Sequence, residues 1–387
     1  MSQHFDVLIV GGGIVGLTAA LAMAKREYTV ALIDHGALKI DSSVTDPRVY
    51  AINKASQNLL LDLDVWQHLD SSRVSPYEKM YVWDGVNGAH IDFDSRAIAA
   101  PNLGNIIEEP ILKQALLQQI FDEPTISLFP HHFVDEVLVL EEEIKLSGQE
   151  RVWQGRLLMI ADGANSPTRK KLNIELTTWP YNQNALVATV ATEKEHQHTA
   201  YQVFNPDGPL AFLPLSDPNH CSIVWSTEPK KVQSLMALEP EEFNALLTQA
   251  FAKRLGQVRL VSARHQFPLQ MRHVKQYVGH RWLLLGDAAH TIHPLAGLGL
   301  NVGLADVRSW LHCMDSAKDT LVSKKILGAY QRERKNEVWQ IIMLMEGFKR
   351  LFGYSFSPIT AARGLGLSIC NSITPLKRLF IQHASGG

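Results

Sequence analysis

The spacing of apolar positions changes period along the chain, and each change marks a new kind of element. Asp6–Val10 (DVLIV) and Thr29–Ile33 are short apolar runs of the type that forms buried strands, and the helical stretch Leu17–Lys25 lies between them. Alternating β and α signals of this sort fill roughly residues 1–69. Met80–Asp94 then reads as strands joined at Gly85-Val86-Asn87-Gly88, Ile111–Phe121 as a helix, and Val134–Leu140 and Leu157–Ala161 as strands. From about Ala185 to Thr227 the chain turns to short strands punctuated by Pro and Gly (ALVATVAT, TAYQVF, LAFLPL, CSIVWST), which predicts an antiparallel sheet. Glu239–Leu255, opened by Pro240, has the spacing of an amphipathic helix. The strand Trp282–Leu285 follows, and beyond Asn301 the pattern is mainly helical, through Tyr330–Phe352 and Ile359–Phe380. No internal repeat or low-complexity segment interrupts this order.

Glycines and acids at the strand ends turn this pattern into chemistry. Gly11-Gly12-Gly13-Ile14-Val15-Gly16 fits G-x-G-x-x-G between a strand and a helix, and Asp34 ends the next strand. Gly11 permits the tight turn, Gly13 lets a pyrophosphate approach the backbone, and Gly16 allows close helix–strand packing. Asp34 can accept both hydrogen bonds of a ribose diol, and an acid there disfavours a 2′-phosphate, so the site suits FAD or NAD rather than NADP. Far downstream, Leu285–Asn301 reads LGDAAHTIHPLAGLGLN. Its strand runs into Gly286-Asp287, then a turn with Pro294, then Gly297 and Gly299 at the opening of a helix. Asp287 can hold a sugar or polyol while the free N–H groups of the helix face an anionic ring. The two stretches are expected to meet on one FAD. A third, Leu158–Arg169 (LMIADGANSPTR), has a turn at Asp162-Gly163 and a cap at Asn165-Ser166-Pro167. Arg169 could reach a phosphate there, or the segment could be an ordinary strand–turn–helix. Asp46-Pro47-Arg48 is open in the same way: Arg48 binds a cofactor phosphate or caps a surface loop.

Composition narrows the class. The 387 residues are 46% hydrophobic with a net charge of −2 and dispersed charges, which suits a soluble protein with a large core and gives no sign of nucleic-acid binding. Cys221, Cys313 and Cys370 stand far apart in apolar contexts and read as reduced core residues of a cytoplasmic protein. Met1–His4 leads straight into the first strand, so no signal peptide is read, and no apolar span reaches the ~20 residues of a membrane helix. His290 and His293 have the spacing of a ligand pair, but no Cys or third His lies nearby, so no metal is expected. His131-His132 and His196/His198 read as solvated loop residues, and no nucleophile-elbow signature points to hydrolysis.

Taken together, the Gly11–Gly16 turn with Asp34, ADGANSPTR and GDAAHTIHPLAGLGLN resemble the three fingerprints of the single-component, class A flavoprotein aromatic hydroxylases. HPLAGLGLNVGLADV, YQRERKNEV and RGLGLSICNSITPLKRLF resemble, more narrowly, the ubiquinone-biosynthesis hydroxylases, across nearly the whole chain. The resemblance implies cofactor contacts from Gly11, Gly13, Gly16 and Asp34 to the ADP half of FAD, and from Arg48 to the cofactor. Asp162 and Gly163 would serve FAD and the transient nicotinamide. Gly286 and Asp287 would hold the ribityl chain, and Pro294, Gly297, Leu298, Gly299, Leu300 and Asn301 would line the isoalloxazine ring. Two departures stand out: Leu298 replaces the family's usual Gln, and Ile107-Glu108-Glu109-Pro110 replaces a usual Val-Glu-Asn-Arg.

The implied fold is α/β: an FAD-binding Rossmann-like domain of glutathione-reductase type (residues 1–72, 100–178 and 272–316) interleaved with an antiparallel-sheet substrate domain (73–99 and 179–271), with C-terminal helices over 317–387. The implied activity is ring hydroxylation of a polyprenylated phenol or benzoquinol in ubiquinone biosynthesis, with FAD, NADPH or NADH, and dioxygen, through a flavin C4a-hydroperoxide. No catalytic acid or base is singled out. Phe212, Leu213 and Pro214 are candidates for the substrate pocket or for ordinary core. Arg363, Lys377 and Arg378 on the last helical stretch suit either contact with anionic lipid or simple packing. Peripheral membrane contact, partner proteins of the same biosynthesis and self-assembly stay open. Two alternatives remain at this point: an FAD monooxygenase of a soluble aromatic acid, and a non-catalytic flavin-binding subunit of a complex.

Overall fold

Five strands form the parallel heart of one sheet, in the spatial order Ile126–Phe129, Val30–Ile33, Ser2–Val10, Arg151–Ile160, Trp282–Leu284. The computed structural model describes residues 2–39, 48–292, 298–317 and 321–353, with Gly364 and Asn371. Val30–Ile33 and Leu157–Ile160 are buried throughout, which explains why these strands read as continuous apolar runs rather than alternating ones. The strand order reverses on either side of Ser2–Val10, and such a reversal opens a crevice beyond the carboxyl ends of the strands. Glu136–Val139, Ile144–Gly148 and Val278–Gly279 extend the sheet with antiparallel pairings.

The helices are α1 (Ile14–Ala24), α2 (Lys54–Asp62), α3 (Glu109–Phe121), α4 (Pro167–Lys171), α5 (Pro229–Ala237), α6 (Pro240–Ala250), α7 (Leu298–Ala317) and α8 (Lys324–Gly353). α1 is nearly all apolar and buried because it is packed by α3 and α7 as well as by the sheet. α7 and α8 pack on one another and make the C-terminal part helical; the Ile359–Phe380 stretch lies outside the described residues apart from Gly364 and Asn371.

A second, nine-stranded sheet runs His290–Thr291, His265–Val274, Leu176–Thr192, His220–Thr227, Gly208–Pro214, Thr199–Asn205, Lys79–Asp84, His90–Asp94, with Val258–Leu260 beside Leu176–Thr192. Its pairings are antiparallel except that between Thr199–Asn205 and Lys79–Asp84. Side chains alternate across it: Leu186, Val190, Phe212 and Trp225 pack under Val232 of α5 and Phe243 of α6, while Val187, Ala211 and Val224 face the other way, into a cavity. Phe212 is therefore core, whereas Leu213 lines the cavity.

Three readings from sequence need correction. Val74–Tyr77, assigned above to the substrate sheet, pairs instead with Gly104–Glu108, which also pairs with Val49–Asn53. α6 stops at Ala250 rather than continuing to Leu255, because Ala252 (φ 54°) and Lys253 (φ 53°) take the left-handed conformation that ends helices. His196 is buried, its Nε2 within 3.0 Å of the carbonyls of Leu215 and Asp217, and is not a solvated loop residue. Cys221 and Cys313 are buried thiols; burial pushes both up, Cys313 to about 11 with help from Glu333, and Cys370 lies outside the described residues.

Candidate active site

Strand register brings the distant motifs together. Val10 pairs with both Ile33 and Ile160, and Ile160 pairs with Leu284, so these four strand ends stand in one hydrogen-bonded row. The next residues leave the sheet side by side. Gly11 N–H donates to Ile33 O (2.9 Å), Ala161 N–H to Val10 O (2.8 Å) and Leu285 N–H to Ile160 O (2.9 Å). The Gly11–Gly16 turn, Asp34, Asp162-Gly163 and Gly286-Asp287 all start from this row.

The glycines divide into two kinds. A Cβ on Gly11 (φ +113°) would lie 2.3 Å from Ala161 O, and one on Gly16 would lie 1.9 Å from Gly11 O, so both serve close packing. A Cβ on Gly13, Gly163 or Gly299 would meet no atom of the other described residues within 4 Å, and all three residues line the same cavity. Bare backbone therefore faces open space from three separate motifs. α1 begins at Gly13 with no side-chain cap, so its first N–H groups have the arrangement that receives a phosphate. Asp162 accepts the Thr168 N–H (3.0 Å) through Oδ2, while its buried Oδ1 has no partner among the described residues, an acceptor that a bound hydroxyl or amide would satisfy. These residues fit a flavin dinucleotide.

The cavity holds about 500 Å³ between the two sheets. Its charged residues come from one side: Arg48, Glu109 and Asp287. Arg48 and Glu109 are 3.3 Å apart, and Tyr50 Oη donates to Glu109 Oε2 (3.0 Å). Burial, then Glu109, push the Tyr50 phenol far above its ordinary value, so it stays a donor. The Asp287 side chain opens to the cavity but is ringed by protein, and this desolvation raises its pKa, with Asp306 adding to the rise while His290 and Arg272 oppose it. The opposite side is the face of the nine-stranded sheet, where Gln202 and Ser226 interrupt Val187, Ala211, Leu213 and Val224.

Other predicted residues are placed less simply. Asp34 already accepts Gly12 N–H (2.6 Å) and Gly36 N–H (2.7 Å), one on each oxygen, so it shapes the glycine turn while keeping lone pairs for a further donor. Arg169 is buried and reaches no open surface: it donates to Ala288 O (2.7 Å) and Ala164 O (2.9 Å), tying two motif loops together, and the phosphate reading above is withdrawn. The Asn301 amide is turned toward the neighbouring strand, accepting Asn53 N–H (3.0 Å) and donating to Ala51 O (2.7 Å). Leu300 lines the cavity. Pro294, Gly297, His293 and the side chain of Leu298 lie outside the described residues. Pro110 sits in the first turn of α3, where its missing N–H breaks no helical bond.

Sequence reading overlooked Tyr50, Glu109, Gln202 and Ser226 as cavity residues, and a buried charge cluster behind the Gly286-Asp287 turn. Asp306 lies at 0% exposure and Arg334 at 1%, with Arg334 Nε 2.6 Å from Asp306 Oδ1. A signal existed: Tyr330, Arg334, Val338 and Ile342 follow one another at helical spacing on the buried stripe of α8, and a charge on such a stripe demands a partner. Burial alone would raise the Asp306 carboxyl, but His290, Arg334 and the Gly286 N–H outweigh it and hold it below its ordinary value. His273, across the sheet pairing from His290, is pushed down from 6.5 to about 4 by burial, with His290 and Lys335 adding to it, and its Nε2 has no hydrogen-bond partner among the described residues. Between pH 6.5 and 4 the unfolded chain gains a proton that the folded chain refuses. Stability is therefore expected to fall as pH drops through that window, by up to about 3 kcal/mol. Urea midpoints measured against pH check this, and His273→Phe should flatten the acid limb.

Comparison with known proteins agrees with this geometry. The FAD binding domain family matches residues 4–345, and the chain belongs to that family. It is 35% identical to the 3-demethoxyubiquinol 3-hydroxylase of Escherichia coli, covering 100% of this chain and 99% of the relative. It is 33% identical to the ubiquinone hydroxylase UbiL of Rhodospirillum rubrum, over 98% of this chain and 89% of that one. Among solved structures, p-nitrophenol 4-monooxygenase PnpA from Pseudomonas putida superposes with a TM-score of 0.80 at 18% identity, covering 100% of this chain and 99% of PnpA, a likeness of fold. The chain is a flavin-dependent monooxygenase, a class whose FAD works with NAD(P)H and dioxygen. Among the described residues, no helix is long and apolar enough to cross a membrane.

Proposed function

We propose that this enzyme hydroxylates the ring of a polyprenylated phenol or benzoquinol in ubiquinone biosynthesis, using FAD, NAD(P)H and dioxygen. The observation that carries the substrate class is the distribution of charge in the cavity. Among the described lining residues no cation stands on the sheet side; Gln202 and Ser226 supply neutral polar groups within an apolar face. An aromatic acid would need a buried cationic anchor there, since an unpaired carboxylate is costly in an apolar pocket. A neutral ring with hydroxyl substituents needs hydrogen bonds alone. The two relatives named above are, by their printed names, a 3-demethoxyubiquinol 3-hydroxylase and a ubiquinone hydroxylase, which favours the same reading.

In this proposal residues 1–77, 100–178 and 272–316 hold FAD, and residues 78–99 and 179–271 cover the substrate. Asp34 takes the adenosine ribose, Gly11, Gly13 and Gly16 at the start of α1 take the pyrophosphate, and Arg48 adds a cation near it. Gly286 and Asp287 take the ribityl chain, Gly299, Leu300 and the first turn of α7 lie against the ring, and Asp162 with Gly163 serves FAD and nicotinamide. FAD, when bound, supplies the redox and oxygen chemistry. The chain supplies position and dryness. The N-terminus of α7 favours negative charge on the ring by up to ~2 kcal/mol in a partly buried site. A hydroxylated ring already carries its own activating groups, so the proposal assigns no catalytic acid or base to the chain.

Complementation of strains lacking each ubiquinone ring hydroxylase, with quinone intermediates identified by mass spectrometry, tests the proposal. Rescue of one strain is the expected result and identifies the ring carbon. Failure in every strain, together with coupled hydroxylation of a soluble aromatic acid by the purified enzyme, would overturn it. Tight FAD binding with no substrate-dependent NAD(P)H oxidation would instead indicate a non-catalytic subunit.

A further inference from the structure

The turn that carries Asp287 does not hold itself in place. Gly286 sits at φ +56°, and its N–H is fixed by a side chain from α7: it donates to Asp306 Oδ2 at 2.7 Å. His290 Nε2 stands 2.8 Å from the same oxygen, and Arg334 Nε of α8 donates to Oδ1 at 2.6 Å. Arg334 also pairs with Glu337 and donates to Val302 O (3.3 Å). A second grip comes from the same helix, where Tyr330 Oη donates to Leu284 O (2.8 Å), at the end of the strand feeding the turn. We propose that Asp306 is a positioning residue for the cofactor, holding the Gly286-Asp287 turn in its binding geometry, with His290 as its second donor and Arg334 as its counter-charge.

The argument rests on the placement of the ribityl chain at Asp287 given above. Its physical basis is that a buried ion pair adds little stability over apolar residues of the same volume, whereas a carboxylate with three fixed donors defines a geometry. Both oxygens of Asp306 are committed, so the Gly286 N–H cannot rotate away without leaving a buried acceptor short of a donor. The carbonyl and side chain that follow are aimed as a consequence. Asp287, with its carboxyl open to the cavity, then meets a bound polyol in one orientation rather than several. Removing the Asp306 charge should let the turn relax and weaken FAD without blocking its site.

The test compares FAD dissociation constants, measured on cofactor-stripped protein by ultrafiltration, with the Tm of the same cofactor-free proteins. Asp306→Asn, nearly isosteric, should weaken FAD by about tenfold to a hundredfold. Arg334→Lys retains the counter-charge and should bind FAD within about threefold of the wild type even though its Tm falls with the lost guanidinium fork. The apolar pair Asp306→Leu/Arg334→Met should recover Tm relative to Asp306→Asn yet keep the weak FAD binding, because the Gly286 N–H then has no side-chain acceptor at all. Wild-type-like binding by Asp306→Asn, or affinities that follow Tm across the set, would overturn the inference. If the apolar pair does not fold, the comparison of Asp306→Asn with Arg334→Lys decides. Asp287→Ala separates the two readings. Normal FAD binding by that variant would remove the ribityl placement itself, whereas weak binding there beside normal binding in Asp306→Asn would remove the role of Asp306 alone.

Discussion

Gly299→Val is expected to give a folded protein that no longer turns yellow. A Cβ at this position meets no atom of the other described residues within 4 Å, and Gly299 lines the cavity from the first turn of α7. Among the described residues nothing opposes a Cβ there, and replacing glycine in a helix gains a few tenths of a kcal/mol. The cofactor-free Tm should therefore be unchanged or slightly higher. The flavin ring would meet the branched side chain in the place where it needs bare backbone, so FAD content per chain should fall by roughly tenfold or more, an estimate for one steric clash at a close contact. Absorbance of the purified protein and Tm after stripping measure both quantities. Full FAD content with a normal rate of reduction would mean that the ring does not lie against α7.

Gly16→Ala should do the reverse, damaging the fold before the cofactor is considered. The added methyl would sit 1.9 Å from Gly11 O and 3.4 Å from Ala161 Cβ, between α1 and the strand ends that carry two of the motifs. Neither obstacle is a flexible side chain, so α1 must move off the sheet. Overpacking of this kind costs on the order of 3 kcal/mol. Urea unfolding of the cofactor-free protein should report that loss, and excess FAD should not restore it, since the displaced α1 also carries the uncapped N–H groups at Gly13. A change below about 1 kcal/mol would show that the helix has room to shift. Gly16 and Gly299 thus give opposite outcomes, and the difference lies in what stands opposite each Cβ.

The comparison between the two glycines also shows which features can be read from a chain and which cannot. Gly11 and Gly16 were legible because a tight turn and a close helix–strand approach admit glycine alone, whereas Gly13, Asp34 and Gly286-Asp287 were visible as the positions proposed to hold FAD. The buried parallel strands were legible for a similar reason, since burial on both faces leaves a continuous apolar run. Long side chains were not. Arg169 looked free to reach a phosphate, but its guanidinium spans to Ala288 O, an atom brought near by a strand 119 residues away in sequence. Asn301 looked like a ring-facing residue, and the strand Val49–Asn53 instead takes its amide. Asp306 and Arg334 were visible as charges on apolar stripes, yet nothing local indicates that each is the other's partner.

By itself, then, the amino-acid sequence determined the kinds of element and the glycine turns that join strand to helix, because these depend on neighbours within a few bonds. Tertiary structure decided where those pieces meet. The common row of Ile33, Val10, Ile160 and Leu284 aligns the motifs, and the facing sheet closes the cavity with Gln202 and Ser226 and without a cation among its described lining residues. It also decided what supports the Asp287 turn, since the partner of a buried charge is chosen by packing across the fold and not by distance along the chain.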